Sequence, residues 1–251
     1  NAMTFFNYLS QHLEIDESVL SRRVAKIDKC IRTAPDPVAL IPSLPMTSNY
    51  FFQQFGELLT ELIANGYVYR GAFDAGRCGF SAIRNLPRTH VGFSSIYGRG
   101  NMGDALMSLP YLAFNTPENT LAFIGDGANA LTPDILPSLL NNLNYNGNKI
   151  QGNLSIFIFY NNSLSMIRSY VERAIFSDPS EQMSVVSLMP NNDSYQFKGT
   201  TVNIKRLDLF DREDLKKQLL KENTINVFNV ALAHNNSVDI YEQFAVDWIN
   251  Q

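Results

Sequence analysis

The fold of this chain is decided by the stretch Leu121-Ala122-Phe123-Ile124-Gly125-Asp126-Gly127. Its four apolar residues predict a short buried strand, and a Gly-Asp-Gly triplet follows that strand directly. A second apolar run, at residues 154–160, predicts another strand, and two asparagines follow it. Apolar residues with helical spacing lie between the two runs. The three segments predict a βαβ unit whose parallel strands end at one edge of a sheet, where doubly wound proteins bind ligands.

The polar residues at this edge suit a magnesium ion that is also bound to phosphate. The Asp126 carboxylate, an amide oxygen of the 161–162 pair and a backbone carbonyl are hard oxygen ligands, and Mg²⁺ completes its octahedron with water and substrate phosphates. Gly125 and Gly127 let the backbone approach a phosphate closely. Aspartate and asparagine are also common in ordinary turns. The motif on its own is therefore a weak signal that needs support from other segments.

That support comes from three further segments. Gly-Arg-Gly-Asn-Met-Gly at residues 98–103 resembles the glycine-rich turn of acetolactate synthases and 2-oxo acid decarboxylases. Phe-Asp-Ala-Gly-Arg at residues 73–77 resembles the strand-end Asp-x-Gly that opens the same domain, and Leu-Ser-Met-Ile-Arg at residues 164–168 resembles its tail after the two asparagines. The order of all four segments resembles the thiamine-diphosphate-binding domain of thiamine-dependent enzymes, with Gly-Asp-Gly and Asn-Asn as its diphosphate motif.

The resemblance implies a site for thiamine diphosphate and Mg²⁺. In that family a large apolar residue props the cofactor into its bent shape and a glycine carbonyl meets the aminopyrimidine. Met102 and Gly100 stand at those two positions. The other cofactor-binding residues that the resemblance implies are Asp74, Gly76, Arg77, Gly125, Gly127, Ala128 and Asn129. Asp74 has an equally good interpretation as a helix cap, Arg77 as a surface arginine, and Met102 taken alone as a core methionine.

Two alignments with the family give two sets of metal ligands. Alignment on the Leu-x-Met-Ile-Arg tail gives Asp126, Asn161 and the Ser163 carbonyl. Alignment on the asparagine pair gives Asn162 and the Leu164 carbonyl instead. We prefer the first, because the hydrophobic tail fixes the register of the segment after the strand. The distance from Asp126 to the pair is longer than is usual in the family, and the polar stretch 141–148 predicts a loop that holds the extra residues.

The chain as a whole predicts an α/β fold with a doubly wound, mostly parallel sheet and helices on both faces. Residues 1–48 are predicted to form an N-terminal helical extension, in which residues 1–2 read as a tag remnant before Met3. Residues 49–251 are predicted to form the thiamine-diphosphate-binding domain. Regular alternation of strand and helix begins near Tyr67.

Composition and charge exclude several other classes of protein. The net charge of −4 and the pI near 5.4 argue against a nucleic-acid-binding surface. No apolar stretch approaches the length of a membrane span, and no signal-peptide pattern is present in the 251 residues. The two cysteines, Cys30 and Cys78, do not suggest a disulfide framework, so a cytoplasmic location is expected.

The resemblance also implies that this chain carries half of an active site. In that family a second, pyrimidine-binding domain supplies the glutamate that activates the cofactor, and every motif recognised here belongs to the diphosphate-binding half. No catalytic residue is therefore assigned in this chain, and a pyrimidine-binding subunit or domain on another chain is expected, with a homodimer also possible. The implied reaction is decarboxylation of a small 2-oxo acid, or aldehyde transfer, by a lyase or transferase component that is inactive alone. A non-catalytic binding or regulatory module and a subunit of a 2-oxo acid oxidoreductase are the alternatives.

Overall fold

The computed structural model describes residues 2–12, 16–33, 46–91, 94–95, 101–145, 147, 149–150, 152–161 and 189–232. By its internal contacts the chain divides into two units, Asn1–Ala39 with Ile240–Gln251, and Leu40–Asp239. The described part of the first unit contains helices α1 (Ala2–His12) and α2 (Glu17–Thr33). Asp16, which precedes apolar residues with helical spacing, predicts a helix cap, and the Ser18 N–H donates to its carboxylate at 2.8 Å at the start of α2. The predicted domain boundary after residue 48 stays a prediction.

The described part of the second unit forms a seven-stranded sheet. Its strands are β1 (Tyr69–Phe73), β2 (Ser94–Ser95), β3 (Asn119–Gly125), β4 (Asn153–Tyr160), β5 (Asp193–Phe197), β6 (Thr200–Leu207) and β7 (Thr224–Ala231). Their order is β2-β1-β3-β4-β7-β6-β5, and every neighbouring pair is parallel except β5 with β6. The chain goes outward from β1 to β2 and then returns to β3 on the other side of β1. The strand order therefore reverses between β1 and β3.

Helices lie on both faces of this sheet, which confirms the predicted doubly wound α/β fold. The described helices of the second unit are α3 (Ser48–Ala64), α4 (Arg77–Asn85), α5 (Asp104–Asn115), α6 (Asp126–Leu131), α7 (Ile135–Tyr145) and α8 (Arg212–Leu219). Phe123 and Phe157 pack in one core cluster with residues of α3, α4 and α8. Ala122 and Ile156, their neighbours along the strands, pack in a second cluster with α5 and α7. Within the described ranges no helix has the length and apolarity needed to cross a membrane.

The ring of Phe51 is one of the aromatic side chains that anchor α3 to the sheet. It is fully buried and lies 5.2 Å from the ring of Phe159 and 5.8 Å from that of Phe157, measured between centroids. Phe51→Ala is expected to lower the free energy of unfolding by about 3–5 kcal/mol, because it leaves a cavity between helix and sheet. Urea denaturation measures the change. Glu57→Ala, on the exposed side of the same helix, is the control, and equal losses in the two variants would contradict the assignment of Phe51 to the core.

The predicted loop at residues 141–148 was wrong over most of its length. Helix α7 continues to Tyr145, and the first described residue outside it is Gly147, with φ of 60°. Leu139 and Leu143 are buried against the sheet. Their burial outweighs the weak helix propensity of the asparagines between and around them.

Two strands also differ from the prediction. The sequence around His90 to Ser94 predicts a strand, whereas the structure has the short β2, Ser94–Ser95, with His90 outside it. Strand β5 was not predicted at all, because its exposed residues are polar. It pairs with β6 through a tight turn in which Lys198 and Gly199 both have positive φ, 50° and 82°. That combination is typical of two-residue hairpins, so the Lys-Gly pair was the missed signal.

Candidate functional site

The carboxyl ends of β1, β3 and β4 bring three of the predicted site residues to one edge of the sheet. Asp74 follows β1, Asp126 follows β3 and Asn161 follows β4. The pairing of Gly125 with Phe159 brings the Asp126 position alongside the end of β4. The strand order reverses between β1 and β3, so this edge is also the topological switch point, where open α/β sheets bind their ligands.

Asp126 is the most unusual group at this edge. It is only 9% exposed, and its Oδ1 accepts a hydrogen bond from the Gly127 N–H at 2.9 Å. Burial raises the pKa of the Asp126 carboxyl, and the backbone N–H groups of Gly127 and Asn161 oppose that shift. Its Oδ2 is buried and has no hydrogen-bond partner among the described residues. A buried carboxylate oxygen without a hydrogen-bond partner destabilises the folded protein unless a cation or a proton neutralises its charge.

The donors around Asp126 fit a small, hard cation. The orphaned Oδ2 supplies a charged oxygen, and Asn161, half-buried at the end of β4, lies beside it. No group of three or more His, Cys, Asp or Glu side chains that could hold a metal occurs in the described ranges. A magnesium ion needs no such group, since it is commonly bound through one or two carboxylates together with phosphate and water. Asn162, Ser163 and Leu164 lie outside the described residues, so both predicted ligand sets stay predictions.

The Gly-Asp-Gly turn leaves open space on one side. A Cβ atom built on Gly125 would meet nothing within 4 Å. The Ala128 side chain is buried in the core cluster with α5 and α7, so only its backbone can face a ligand. The Asn129 side-chain amide donates to the Tyr160 hydroxyl at 3.3 Å and so joins α6 to β4. Of the four cofactor-binding residues predicted here, Gly125, Gly127, Ala128 and Asn129, Gly125 is the one shown to have open space beside it for a phosphate.

Asp74 faces the interior of the protein. It is fully buried, and the Gly103 N–H donates to its Oδ1 and Oδ2 at 3.0 and 2.9 Å. The Ala75 N–H donates to Oδ1 at 2.8 Å. Burial raises the pKa of Asp74, and these backbone donors oppose the shift. Asp74 does not cap α4, whose N-cap is Gly76 without a side-chain hydrogen bond, and its carboxylate instead binds the amide of the residue that precedes α5, far away in the sequence.

The remaining predicted residues lie around this edge or outside the described ranges. Gly76, with φ of 121°, precedes α4, and Arg77 is the first residue of that helix. The side chain of Arg77 and all of Gly100 lie outside what the structure describes. Met102 belongs to the turn before α5 and is 41% exposed. A methionine that exposed is free to pack against a ligand.

Sequence reasoning missed two residues of this site. Tyr160 is buried at the end of β4, and burial, followed by the charge of Asp126, raises the pKa of its hydroxyl. Cys78, buried beneath the same edge, has its thiol pKa raised to about 12 by burial and by the charges of Asp74 and Asp126. Tyr160 had a signal, since it is the last residue of the apolar run before the asparagine pair. Cys78 had none, because its position depends on the packing of α4 on the sheet.

Comparison with known proteins gives one family and two close relatives. Residues 39–234 match the family described as Biosynthesis protein PigD C-terminal domain. Relatives in Serratia marcescens and in Serratia sp. (strain ATCC 39006) are both named thiamine diphosphate dependent-3-acetyloctanal synthase PigD. This chain is 38% identical to the first over 240 residues and 38% identical to the second over 244 residues. The matches cover 95% of this chain but 26% and 28% of the relatives, so the chain spans about a quarter of their length.

Two of the solved structures that match this chain are more distant in sequence than these relatives. Benzoylformate decarboxylase from Polynucleobacter necessarius matches 81% of this chain and 35% of that chain, with 13% identity and a TM-score of 0.47. The 4-hydroxybenzoylformate decarboxylase of Rhodococcus jostii RHA1 matches 78% of this chain and 34% of that chain, with 14% identity and a TM-score of 0.47. The fold assignment rests on the strand order and the two helical layers rather than on these matches.

Proposed function

Since the chain belongs to the family of PigD C-terminal domains, and so to the thiamine-diphosphate-dependent enzymes, we propose that it is the diphosphate- and metal-binding half of such an enzyme. The observation that carries the proposal is the buried, unpartnered Oδ2 of Asp126 at the switch point of the sheet. A negative charge placed there without a partner destabilises the free protein. The same charge becomes favourable when a cation bridges it to a diphosphate.

Each residue of the site has a proposed role. Asp126, Asn161 and the Ser163 carbonyl would hold Mg²⁺, with Asn162 and the Leu164 carbonyl as the alternative pair. Gly125 and Gly127 would lie against the diphosphate, because neither carries a side chain to exclude it. Met102 and Gly100 would contact the rings of the cofactor.

When bound, thiamine diphosphate supplies the carbon nucleophile that adds to the carbonyl of a 2-oxo acid. The residues of this chain bind and orient the cofactor for that chemistry. The pyrimidine-binding domain, on another chain or on another part of a longer protein, supplies the glutamate that activates the cofactor by proton transfer. The reaction is decarboxylation of a small 2-oxo acid or transfer of the resulting aldehyde unit to an acceptor. The name of the two relatives supports a synthase, and the short span of the match supports a missing second domain. We keep the cytoplasm as the proposed compartment, on the basis of cysteine content.

The test of this proposal is calorimetry with the 251-residue chain and thiamine diphosphate. Binding is expected in the presence of Mg²⁺ and is expected to disappear in excess chelator, because the diphosphate charge then has no counter-ion beside Asp126. Magnesium pyrophosphate is the second probe, since it tests the diphosphate site without the rings. Absence of binding by both probes would overturn the proposal, and so would tight binding in chelator.

Met102 gives a separate prediction about the shape of the bound cofactor. Met102→Ala is expected to change the affinity for thiamine diphosphate only slightly, because the diphosphate and metal contacts remain. Turnover in the complete enzyme is expected to fall by about tenfold or more, since a poorly held ring misplaces the reacting atom. Calorimetry and a 2-oxo acid decarboxylation assay measure the two effects.

The control for this prediction is Leu220→Ala, the truncation of an exposed apolar side chain at the end of α8. Leu220 is 53% exposed and precedes β7, at the edge of the sheet opposite the site, so its loss is expected to leave both quantities unchanged. Equal losses of binding and turnover in Met102→Ala would show that Met102 only packs against the protein.

A further inference from the structure

We infer that Asp74 is a positioning residue, which fixes the glycine-rich turn carrying Met102 relative to the metal-binding end of β3. The inference rests on the proposed function, and it gives Asp74 a role other than contact with the cofactor. Its basis is the hydrogen bonds of the Asp74 carboxylate, the attachment of its backbone to β3, and the packing of Gly103.

The carboxylate of Asp74 joins two segments that are distant in the sequence. Both of its oxygens accept the Gly103 N–H, at 3.0 and 2.9 Å, and Oδ1 also accepts the Ala75 N–H at 2.8 Å. Hydrogen bonds that involve an ionised acceptor are stronger than neutral ones. Asp74 is fully buried, so water does not compete for these donors. The turn before α5 is thereby held to the end of β1.

The backbone of Asp74 continues the connection to β3. Its N–H donates to the Phe123 carbonyl at 3.0 Å, and Phe73 pairs with Phe123 in the parallel ladder. Phe123 lies in β3 three residues before Asp126. A single residue therefore links the turn that carries Met102 to the strand that carries the proposed metal ligand.

The same turn meets α6 on its other side. Gly103 has φ of 92°, and a Cβ atom built on it would approach the Thr132 methyl group to 3.2 Å. The Thr132 hydroxyl donates to the Ala128 carbonyl at 3.2 Å, at the end of the helix that begins with Asp126. The turn is thus fixed between the Asp74 carboxylate and the end of α6. Its position is set by the same elements that set the position of Asp126.

The geometry argues against direct contact between Asp74 and a diphosphate. A fully buried carboxylate whose oxygens already accept backbone N–H groups has no surface to offer a ligand. Its negative charge would also repel a diphosphate rather than bind it. The family resemblance places Asp74 in the cofactor site, and the structure gives a reason for an aspartate there that needs no such contact.

The first experiment compares two probes on the 251-residue chain and on its Asp74→Asn variant, by calorimetry with Mg²⁺. Asparagine keeps the size of the side chain but turns one acceptor into a donor, so an N–H group faces the backbone N–H of Gly103 or Ala75. Affinity for thiamine diphosphate is expected to fall by about tenfold to a hundredfold, the range typical of residues that orient a site without touching the ligand. Affinity for magnesium pyrophosphate is expected to change less than about twofold, because that probe does not reach the turn. Asp134→Asn, an exposed aspartate before α7, is the matched control and is expected to leave both affinities unchanged.

A second variant and a second readout make the outcome independent of how well Asp74→Asn folds. Gly103→Ala disturbs the same turn from its other end, because residue 103 has a positive φ and an added Cβ would contact Thr132. This variant is also expected to lose more affinity for thiamine diphosphate than for magnesium pyrophosphate. Hydrogen exchange in the ligand-free Asp74→Asn chain is expected to rise at the Gly103 amide by about tenfold or more while the amides of β3 keep their protection.

Each result has a definite meaning. Equal losses for both probes would overturn the inference, because Asp74 would then support the diphosphate itself. An unchanged affinity for thiamine diphosphate, or unchanged exchange at Gly103, would also overturn it. Failure of the unaltered chain to bind either probe would instead reject the proposed function.

Discussion

Asp126→Ala is expected to abolish the magnesium-dependent binding of thiamine diphosphate, a loss of about a hundredfold or more. The variant removes the proposed charged metal ligand at the end of β3, so the diphosphate charge would have no cation to hold it. Titration calorimetry with Mg²⁺ measures the loss. Asp134→Ala removes a carboxylate that is exposed before α7 and serves as the control for the general effect of a charge change.

The free energy of unfolding of the ligand-free chain shows whether a variant has lost cofactor binding alone or has also lost its fold. Burial raises the pKa of Asp126, so the carboxyl binds its proton more readily in the folded chain than in the unfolded one. The ionised group therefore destabilises the fold at neutral pH, and this cost disappears as the pH falls below the folded pKa. Asp126→Asn is expected to keep or raise the free energy of unfolding while it abolishes binding, which urea denaturation and calorimetry check together. Unchanged affinity in either Asp126 variant would contradict the assignment.

The two ligand registers are distinguished by the asparagine pair. If the alignment on the apolar tail is right, Asn161→Ala weakens magnesium-dependent binding and Asn162→Ala does not. The reverse result would select the Asn162 and Leu164 set.

The sequence was sufficient for those parts of the fold that depend on local patterns. The apolar runs that form β3 and β4 are buried at nearly every position, and strands of that kind are found in parallel sheets covered on both faces. Strand β5 is an exposed edge strand whose only signal is its turn, and the length of α7 depends on the burial of Leu139 and Leu143. Local propensity could not predict the length of α7, because tertiary packing decides it, and β5 could have been predicted only from its turn.

The candidate site also has some features that the sequence could predict and others that it could not. The positions of Asp126 and Asn161 at the edge of the sheet were predictable, since each directly follows a strand of one βαβ unit and strand ends in such a unit meet at one edge. The orientation of Asp74 was not predictable. Whether a strand-end aspartate faces a ligand or the amide of Gly103 depends on where a turn from elsewhere in the chain is placed.

The isolated chain is expected to show no decarboxylation of 2-oxo acids above background. Addition of the proposed pyrimidine-binding partner is expected to raise turnover by at least about a hundredfold, which is the usual contribution of a positioned acid or base. Two described glutamates, Glu118 and Glu61, are unsuited to replace the group that the proposed partner would supply. Glu118 lies before β3, at the edge of the sheet opposite Asp126, and pairs with Arg70. Glu61 pairs with Arg212 at 2.8 Å and with Lys216, and these cations lower its pKa. A glutamate held in that way is a poor proton donor at neutral pH.

The exposed apolar side chains near the site agree with a partner that covers them. Met102 precedes α5, and Met107 and Tyr111, which are four residues apart, lie on one exposed side of that helix. Neighbouring apolar groups left in water commonly mark an interface. The second chain or domain would then complete the site and cover this surface at the same time.

The decisive experiment is gentle purification from the native host, followed by mass spectrometry of the co-purifying chains and an assay with a panel of 2-oxo acids. We expect a second α/β chain or domain to be present and turnover to require it, because a cofactor held by this chain alone would leave its rings exposed to water with no carboxylate to activate them. The complex assembled with Asp126→Ala is the control and is expected to be inactive although the partner is present. Robust turnover by the homogeneous 251-residue chain would contradict the half-site proposal. The activating carboxylate would then have to lie within this chain.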